Sequence, residues 1–192
     1  KKDGTPTSLM SIPGLEKYWG TGTFVTEALT KEAIGALNKA KKYNQPFFLY
    51  MSHYAIHIPV DRDERFFSKY VRKGLSDKEA AYASLIEGMD KSLGDLMDWV
   101  DKSGEADNTI IIFMSDNGLA TNPKWRDGEL YHQNYPLNSG KCSLYEGGIR
   151  EPMIVDWPGV TEPSSKCDKY TMIEDFYPTI LEMAGIKKYK TV

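Results

Sequence analysis

NTIIIFMSDNG, residues Asn108–Gly118, sets three consecutive isoleucines before Phe113 and Met114 and then breaks into Ser115-Asp116-Asn117-Gly118. A short continuous apolar run closed by turn residues reads as a strand covered on both faces. Upstream of it, Ser76-Asp77-Lys78-Glu79 fits a capping box, with Ser76 as N-cap and Glu79 reaching back to it. The helix opened there is expected to bury Ala83, Ile86, Leu93, Met97 and Val100 and to stop at Ser103-Gly104, where glycine suits a left-handed cap. Further upstream, Phe47–His53 is a second nearly continuous apolar run. Strand, helix, strand predicts a βαβ unit whose two strands run parallel, and so an α/β fold. Ligands on such sheets collect beyond the carboxyl ends of the strands. The loops at Ser52–His57 and Ser115–Gly118 are therefore expected to converge on one edge.

The flanking chain fits around this unit. Residues 1–22 are rich in Gly, Pro, Ser and Thr without a sustained period and read as an irregular N-terminal arm. Leu29, Ala33, Ala36, Leu37 and Ala40 recur at helical spacing, predicting a helix over about Glu27–Lys42 that Pro46 brings to an end. Residues 54–75 read as a charged loop, Asp116–Gly148 as a long aperiodic one, and Met153–Trp157 as another strand. A last helix is expected over Glu174–Ala184, with Pro178 tolerated in its first turn and Gly185 as the stop.

Composition narrows the function classes. A chain of 192 residues with 41% hydrophobic and 27% charged residues can bury a core. A net charge of −3 gives no footprint for nucleic acid, and the longest apolar runs are too short to span a bilayer. The two cysteines, Cys142 and Cys167, form no CxxC pair, which leaves a cysteine zinc site without support. Whether they join in a disulfide is open.

Three polar clusters could carry chemistry. Asp116 and Asn117 offer a carboxylate and an amide oxygen, hard donors suited to Ca²⁺ or Mg²⁺, although Asp-Asn-Gly is also ordinary turn chemistry. His57, on a loop at a strand end, can bind an anion or move a proton, or can be a loop histidine bonded in place. Lys141, among the glycines of Gly140–Arg150, can serve as a point charge for an oxyanion or lie solvated on the surface. Arg150, between Glu146 and Glu151, reads as a structural ion-pair partner.

Five segments together carry a resemblance: PFFLYMSHYAIHIP (Pro46–Pro59), MDKSLGDLMDWV (Met89–Val100), NTIIIFMSDNG (Asn108–Gly118), GKCSLYEGGIREPMIVDWPG (Gly140–Gly159) and DFYPTILEMAGI (Asp175–Ile186). In this order they resemble the type I sulfatases, arylsulfatase-like members of the alkaline phosphatase superfamily. The resemblance implies part of an alkaline-phosphatase-like mixed sheet flanked by helices. It also implies that residues 23–192 are the second half of a sulfatase catalytic domain. Asp116 and Asn117 match ligands of the family's Ca²⁺. His57 matches the histidine facing the sulfate near its ester oxygen, and Lys141 the lysine that grips the sulfate and supports the leaving group. The family's nucleophile is a formylglycine made from Cys or Ser in C/S-x-P-S-R. That motif is absent, since Cys142 precedes Ser143-Leu144 and Cys167 precedes Asp168-Lys169.

The activity so implied is hydrolysis of an organic, by family habit carbohydrate, sulfate ester in a longer chain, with the fragment alone inactive. Its partners would be a sulfated small molecule or glycan and the remaining N-terminal half of the catalytic domain, without nucleic acid or a membrane span. Export to the periplasm, the exterior or the lysosome follows by the same resemblance. Two alternatives stay open: a phosphonate or phosphodiester hydrolase of the same superfamily, and a non-catalytic fragment that binds sulfated glycans.

Overall fold

A computed structural model describes residues 12–120, 124, 126, 127 and 134–187. The chain divides into two units, Lys1–Pro158 and Gly159–Val192. The first is organised by two helices, α1 (Val25–Lys42) and α3 (Asp77–Ser103). Ala28, Ala33 and Leu37 of α1 are buried, as are Ala80, Ala81, Ser84 and Leu85 of α3. Burying each leucine contributes about 2 kcal/mol. Thr30 bonds Ser92 through their hydroxyls at 2.5 Å, Trp99 Nε1 donates to Asn38 Oδ1 at 2.8 Å, and Lys41 reaches the Ser103 carbonyl. Contacts that advance together along both helices mean that the two run in the same direction.

Of the face expected to be buried on α3, Val100 is buried but Ile86 and Met97 are exposed, and Ala80, Ala81, Ser84, Leu85 and Ser92 are buried instead. Both ends of α3 follow the sequence reading. The Ser76 hydroxyl accepts from the Glu79 amide, and Gly104 closes the helix at φ +75°. Glu79, however, does not complete the capping box. Its carboxylate takes Arg126 Nε at 2.9 Å, Arg126 Nη2 at 3.0 Å and the Asp127 amide at 2.8 Å, because a guanidinium fork offers more than one backbone N–H. Arg126 also lies over the Tyr82 ring, 3.9 Å from its centre. Burial works against the charge on Glu79, but Arg126 and the Asp127 amide outweigh it and hold this carboxyl below its ordinary 4.5. Stability from a lowered carboxyl is present above the ordinary value and lost as pH falls through the lowered one. Glu79→Gln is therefore expected to destabilise the chain by about 2 kcal/mol at neutral pH. Melting curves should show the gap to wild type closing as pH drops below 4.5.

The charged stretch expected to be loop contains α2 (Phe67–Arg72). Phe67 and Tyr70 pack on Ala80 and Ala81 of α3 together with Val60. Their i, i+3 spacing, with only Ser68 and Lys69 between them, is too short to stand out in a stretch this rich in charge.

The sheet differs most from expectation. β1 (Ile111–Met114) pairs antiparallel with β2 (Met153–Asp156), Ile111 opposite Asp156 and Met114 opposite Met153. These two strands match the expected positions. Phe47–His53 joins no sheet among the described residues. It carries neither strand nor helix, with Phe48 73% and Tyr50 82% exposed. The predicted parallel pair is thus not formed, because no described strand supplies a ladder for this run, whose Phe47 only meets Trp99 edge-on.

In the second unit, α5 (Ile173–Met183) starts where the Asp175 carboxylate accepts from the Met172 amide at 2.8 Å. Gly185, at φ +74°, ends it as expected. Pro178 lies in its second turn rather than its first and leaves the Glu174 carbonyl without its helical donor. None of the α5 residues is buried.

Candidate functional site

β1 delivers the chain to a bend at Asp116-Asn117, with the Ser115 hydroxyl donating to the Asn117 carbonyl at 2.9 Å. From there the backbone is stitched to a segment twenty residues and more ahead. The Gly118 amide donates to the Gly148 carbonyl at 3.1 Å, and the Lys141 amide to the Leu119 carbonyl at 3.0 Å. Gly118 does not have a positive φ, so its role is closeness and not a sharp turn. A Cβ there would stand 2.0 Å from the Gly147 carbonyl oxygen and 2.7 Å from the Gly148 Cα. Gly147 and Gly148 meet backbone oxygens at similar range on their own sides.

The segment bearing Lys141 is tied to itself as tightly. Asn134 Nδ2 donates to the Ser139 and Gly147 carbonyls, both at 2.9 Å, and the Gly147 amide returns to the Asn138 carbonyl at 2.9 Å. It ends in α4 (Glu146–Ile149), where Arg150 pairs with Glu146 at 3.2 Å in the structural role expected of it. The structure therefore brings the Lys141 backbone to the residues that follow Asp116 and Asn117. Lys141 is half-buried, Asn117 half-buried and Asp116 exposed.

His57 stands apart in its bonding. It closes a turn through its amide to the Tyr54 carbonyl at 2.9 Å, and its Nδ1 lies 2.8 Å from the Ile58 carbonyl. A carbonyl only accepts, so Nδ1 carries the proton and Nε2 is the face offered outward. The topological basis for joining His57 to Asp116, two parallel strands in one sheet, is not realised in the described residues. His53, four residues earlier, is half-buried with its Nδ1 unpartnered, and burial pushes its pKa down.

Glu151 is a site residue that sequence reasoning passed over as a partner for Arg150. Its Oε1 is buried without a partner. Burial pushes its carboxyl above the usual range, a Ser115 hydrogen bond opposes this, and the charge of Asp116 adds to the rise. Nothing in its spacing announces that role. Gly118, Gly147, Gly148 and Asn134 were likewise invisible as a set, since close approach is a property of the folded pair of segments.

As a cation site the residues fit in kind but not in number. Asp116 and Asn117 present two hard side-chain oxygens, whereas Ca²⁺ takes six to eight ligands. No group of three or more His, Cys, Asp and Glu suited to a metal occurs among the described residues. Cys142 and Cys167 are exposed free thiols. No helix among the described residues is long and apolar enough to cross a membrane.

Known proteins give this geometry its family. The Sulfatase family model matches residues 4–186. The chain is 36% identical over 170 residues to the uncharacterized sulfatase YdeN of Escherichia coli (strain K12), covering 85% of the chain and 28% of that protein. It is 33% identical over 180 residues to a sulfatase of Formosa agariphila, covering 88% and 31%, and 31% identical over 163 residues to N-acetylgalactosamine-6-sulfatase of Mus musculus, covering 85% and 29%. The crystal structure of Ps i-CgsB in complex with k-i-k-neocarrahexaose superposes with a TM-score of 0.77 at 32% identity, covering 87% of the chain and 35% of that structure. The chain thus spans 28–31% of the length of these curated relatives. Its α/β fold is that of the alkaline-phosphatase-like sulfatases, and with a family match running over nearly every residue, this chain belongs to the sulfatase family.

Proposed function

We propose that the chain is the sulfate-gripping portion of a sulfuric ester hydrolase and works as part of a longer catalytic domain. The observation that carries this reading is the backbone stitch between Leu119 and Lys141. It holds a lysine segment beside a carboxylate and an amide, as an anionic ester with a counter-cation requires. In this reading Lys141 sets its ammonium against sulfate oxygens and stabilises charge as the ester bond lengthens. Such preorganised charge is often the largest catalytic contribution. His57, carrying its proton on Nδ1, would take a second on Nε2 and pass it to the departing alkoxide oxygen. Asp116 and Asn117 would hold Ca²⁺, which when bound supplies Lewis-acid polarisation of sulfate oxygens.

The remaining ligands and the formylglycine would belong to the rest of the domain. The exposed Phe48 and Tyr50 favour a covering partner, and the relatives are more than three times as long as the stretch they share with this chain. We assign that partner as the remaining N-terminal half of the catalytic domain. A sulfated carbohydrate is the substrate class proposed, since the relatives include an N-acetylgalactosamine-6-sulfatase and the superposed structure holds a neocarrahexaose. Export follows the same resemblance.

The test is made in the complete catalytic domain that contains this chain. Sulfate esters should be cleaved in preference to phosphate diesters, and Lys141→Ala should lower kcat by about 10²–10³. Preferred cleavage of phosphodiesters, or an unchanged kcat in the lysine variant, would overturn the reading.

A further inference from the structure

The segment that carries His57 is secured mainly from its downstream side. Upstream, Phe47–Ser52 is in no sheet among the described residues and meets the helical body where the Phe47 ring stands edge-on to Trp99, 6.0 Å between centres. Downstream, it is locked to the helical body within a few residues. Val60 packs against Phe67, Ala80 and Ala81, and the Arg62 guanidinium lies 4.7 Å from the centre of the Phe67 ring. Asp63 is fully buried, and its amide donates to Ser84 Oγ of α3 at 2.9 Å. Its Oδ1 accepts from Arg65 N at 3.1 Å and Nε at 2.9 Å, and its Oδ2 from Arg65 Nη2 at 2.6 Å. Arg65 reaches on to Glu27 of α1 at 3.3 Å. The Asp63 carbonyl accepts from the Phe66 and Phe67 amides and so fixes the start of α2.

The helix is cut away to receive this pair. A Cβ on Gly88 of α3 would stand 2.8 Å from Asp63 Oδ2 and 3.6 Å from Arg65 Nη2. Asp63 is buried while the Arg65 side chain is 32% exposed, and an ion pair with a buried member is a poor source of net stability, because desolvation consumes most of its Coulomb gain. What a fully bonded buried pair does supply is one fixed geometry in place of several. An apolar side chain at this position would pack, but it would not dictate the direction in which residues 54–62 leave the body.

We infer that Asp63, clamped by Arg65 in the notch at Gly88, is the positioning residue for His57. It sets where the turn at Tyr54–His57 projects and thereby holds the imidazole in the Nδ1–H tautomer against the Ile58 carbonyl. The role rests on the reading of His57 as the leaving-group proton donor, and the two can fail separately.

The chain has three histidines, so long-range ¹H–¹⁵N NMR correlations can resolve each ring. In the wild-type chain, His57 is expected as the Nδ1–H tautomer. In Asp63→Asn and in Gly88→Ala, under conditions where far-UV circular dichroism is native, it should relax to the tautomer mixture of a free imidazole. Arg65→Lys keeps the charge but loses the fork, and gives a third route should either of the others not fold. A purely structural role would lower the melting temperature and leave the His57 tautomer unchanged, and that result overturns the inference. In the complete catalytic domain the same variants should lower kcat about 10–100-fold with little change in KM. An altered tautomer with unaltered kcat would keep Asp63 as the anchor and remove His57 from the proposed mechanism.

Discussion

The purified 192-residue chain is expected to release no sulfate from an aryl sulfate above the uncatalysed rate. Neither cysteine lies in a C/S-x-P-S-R context, so formylglycine cannot be generated from this sequence. In a nucleophilic hydrolase the reacting group and its activators act as one unit, and loss of the nucleophile alone removes roughly 10⁶ in kcat. Lys141 can hold a sulfate and His57 can offer a proton, but neither supplies the attacking atom. Calcium would not rescue the chain, because two side-chain oxygens leave most of its coordination to water. A chromogenic sulfate assay with and without chelator decides the matter. Turnover by the pure chain that survives chelation would mean that a different nucleophile operates and would sink the reading.

Gly118→Ala is expected to be the most damaging conservative substitution near the site. The new methyl would overlap the Gly147 carbonyl oxygen at 2.0 Å and the Gly148 Cα at 2.7 Å, both backbone atoms that cannot rotate away. The two segments must separate, and the Gly118–Gly148 and Lys141–Leu119 hydrogen bonds stand directly in the path of that movement. Overpacking of this kind costs about 1–3 kcal/mol. In the complete enzyme a shift of about 1 Å in Lys141 relative to Asp116 would cost about 10²-fold in kcat. Denaturant titration reads the first effect and steady-state kinetics the second. An alanine variant with wild-type stability would show that the stitch is soft and does not fix Lys141.

The elements legible in the sequence were those whose signal is local. Ser76 and Gly104 bracket α3 because capping is decided within one turn of chain. β1 was legible because three isoleucines in a row suit a covered strand. Phe47–His53 gave the same kind of signal and yet joins no sheet among the described residues, since a strand needs a neighbour and composition does not say who that is. Glu79 was expected to bond its own cap, but a guanidinium forty-seven residues away took its carboxylate. For the candidate site, Lys141 and Asp116-Asn117 stood out by residue type. The Gly118–Gly147–Gly148 contact that draws their segments together is visible only after folding.

Helix α3 is 27 residues long, which at 1.5 Å per residue makes a rod of about 40 Å. Its first turn is clasped by Arg126 through Glu79, and its last by Lys41 at the Ser103 carbonyl. Sites so far apart, with no shared partner, should behave as independent ledgers in a double-mutant cycle. Losses from Glu79→Gln and Lys41→Ala should sum to within about 0.5 kcal/mol. Substitutions accumulating at one end would then leave the tolerance of the other end untouched, so the two termini of this rod can drift separately among homologous chains.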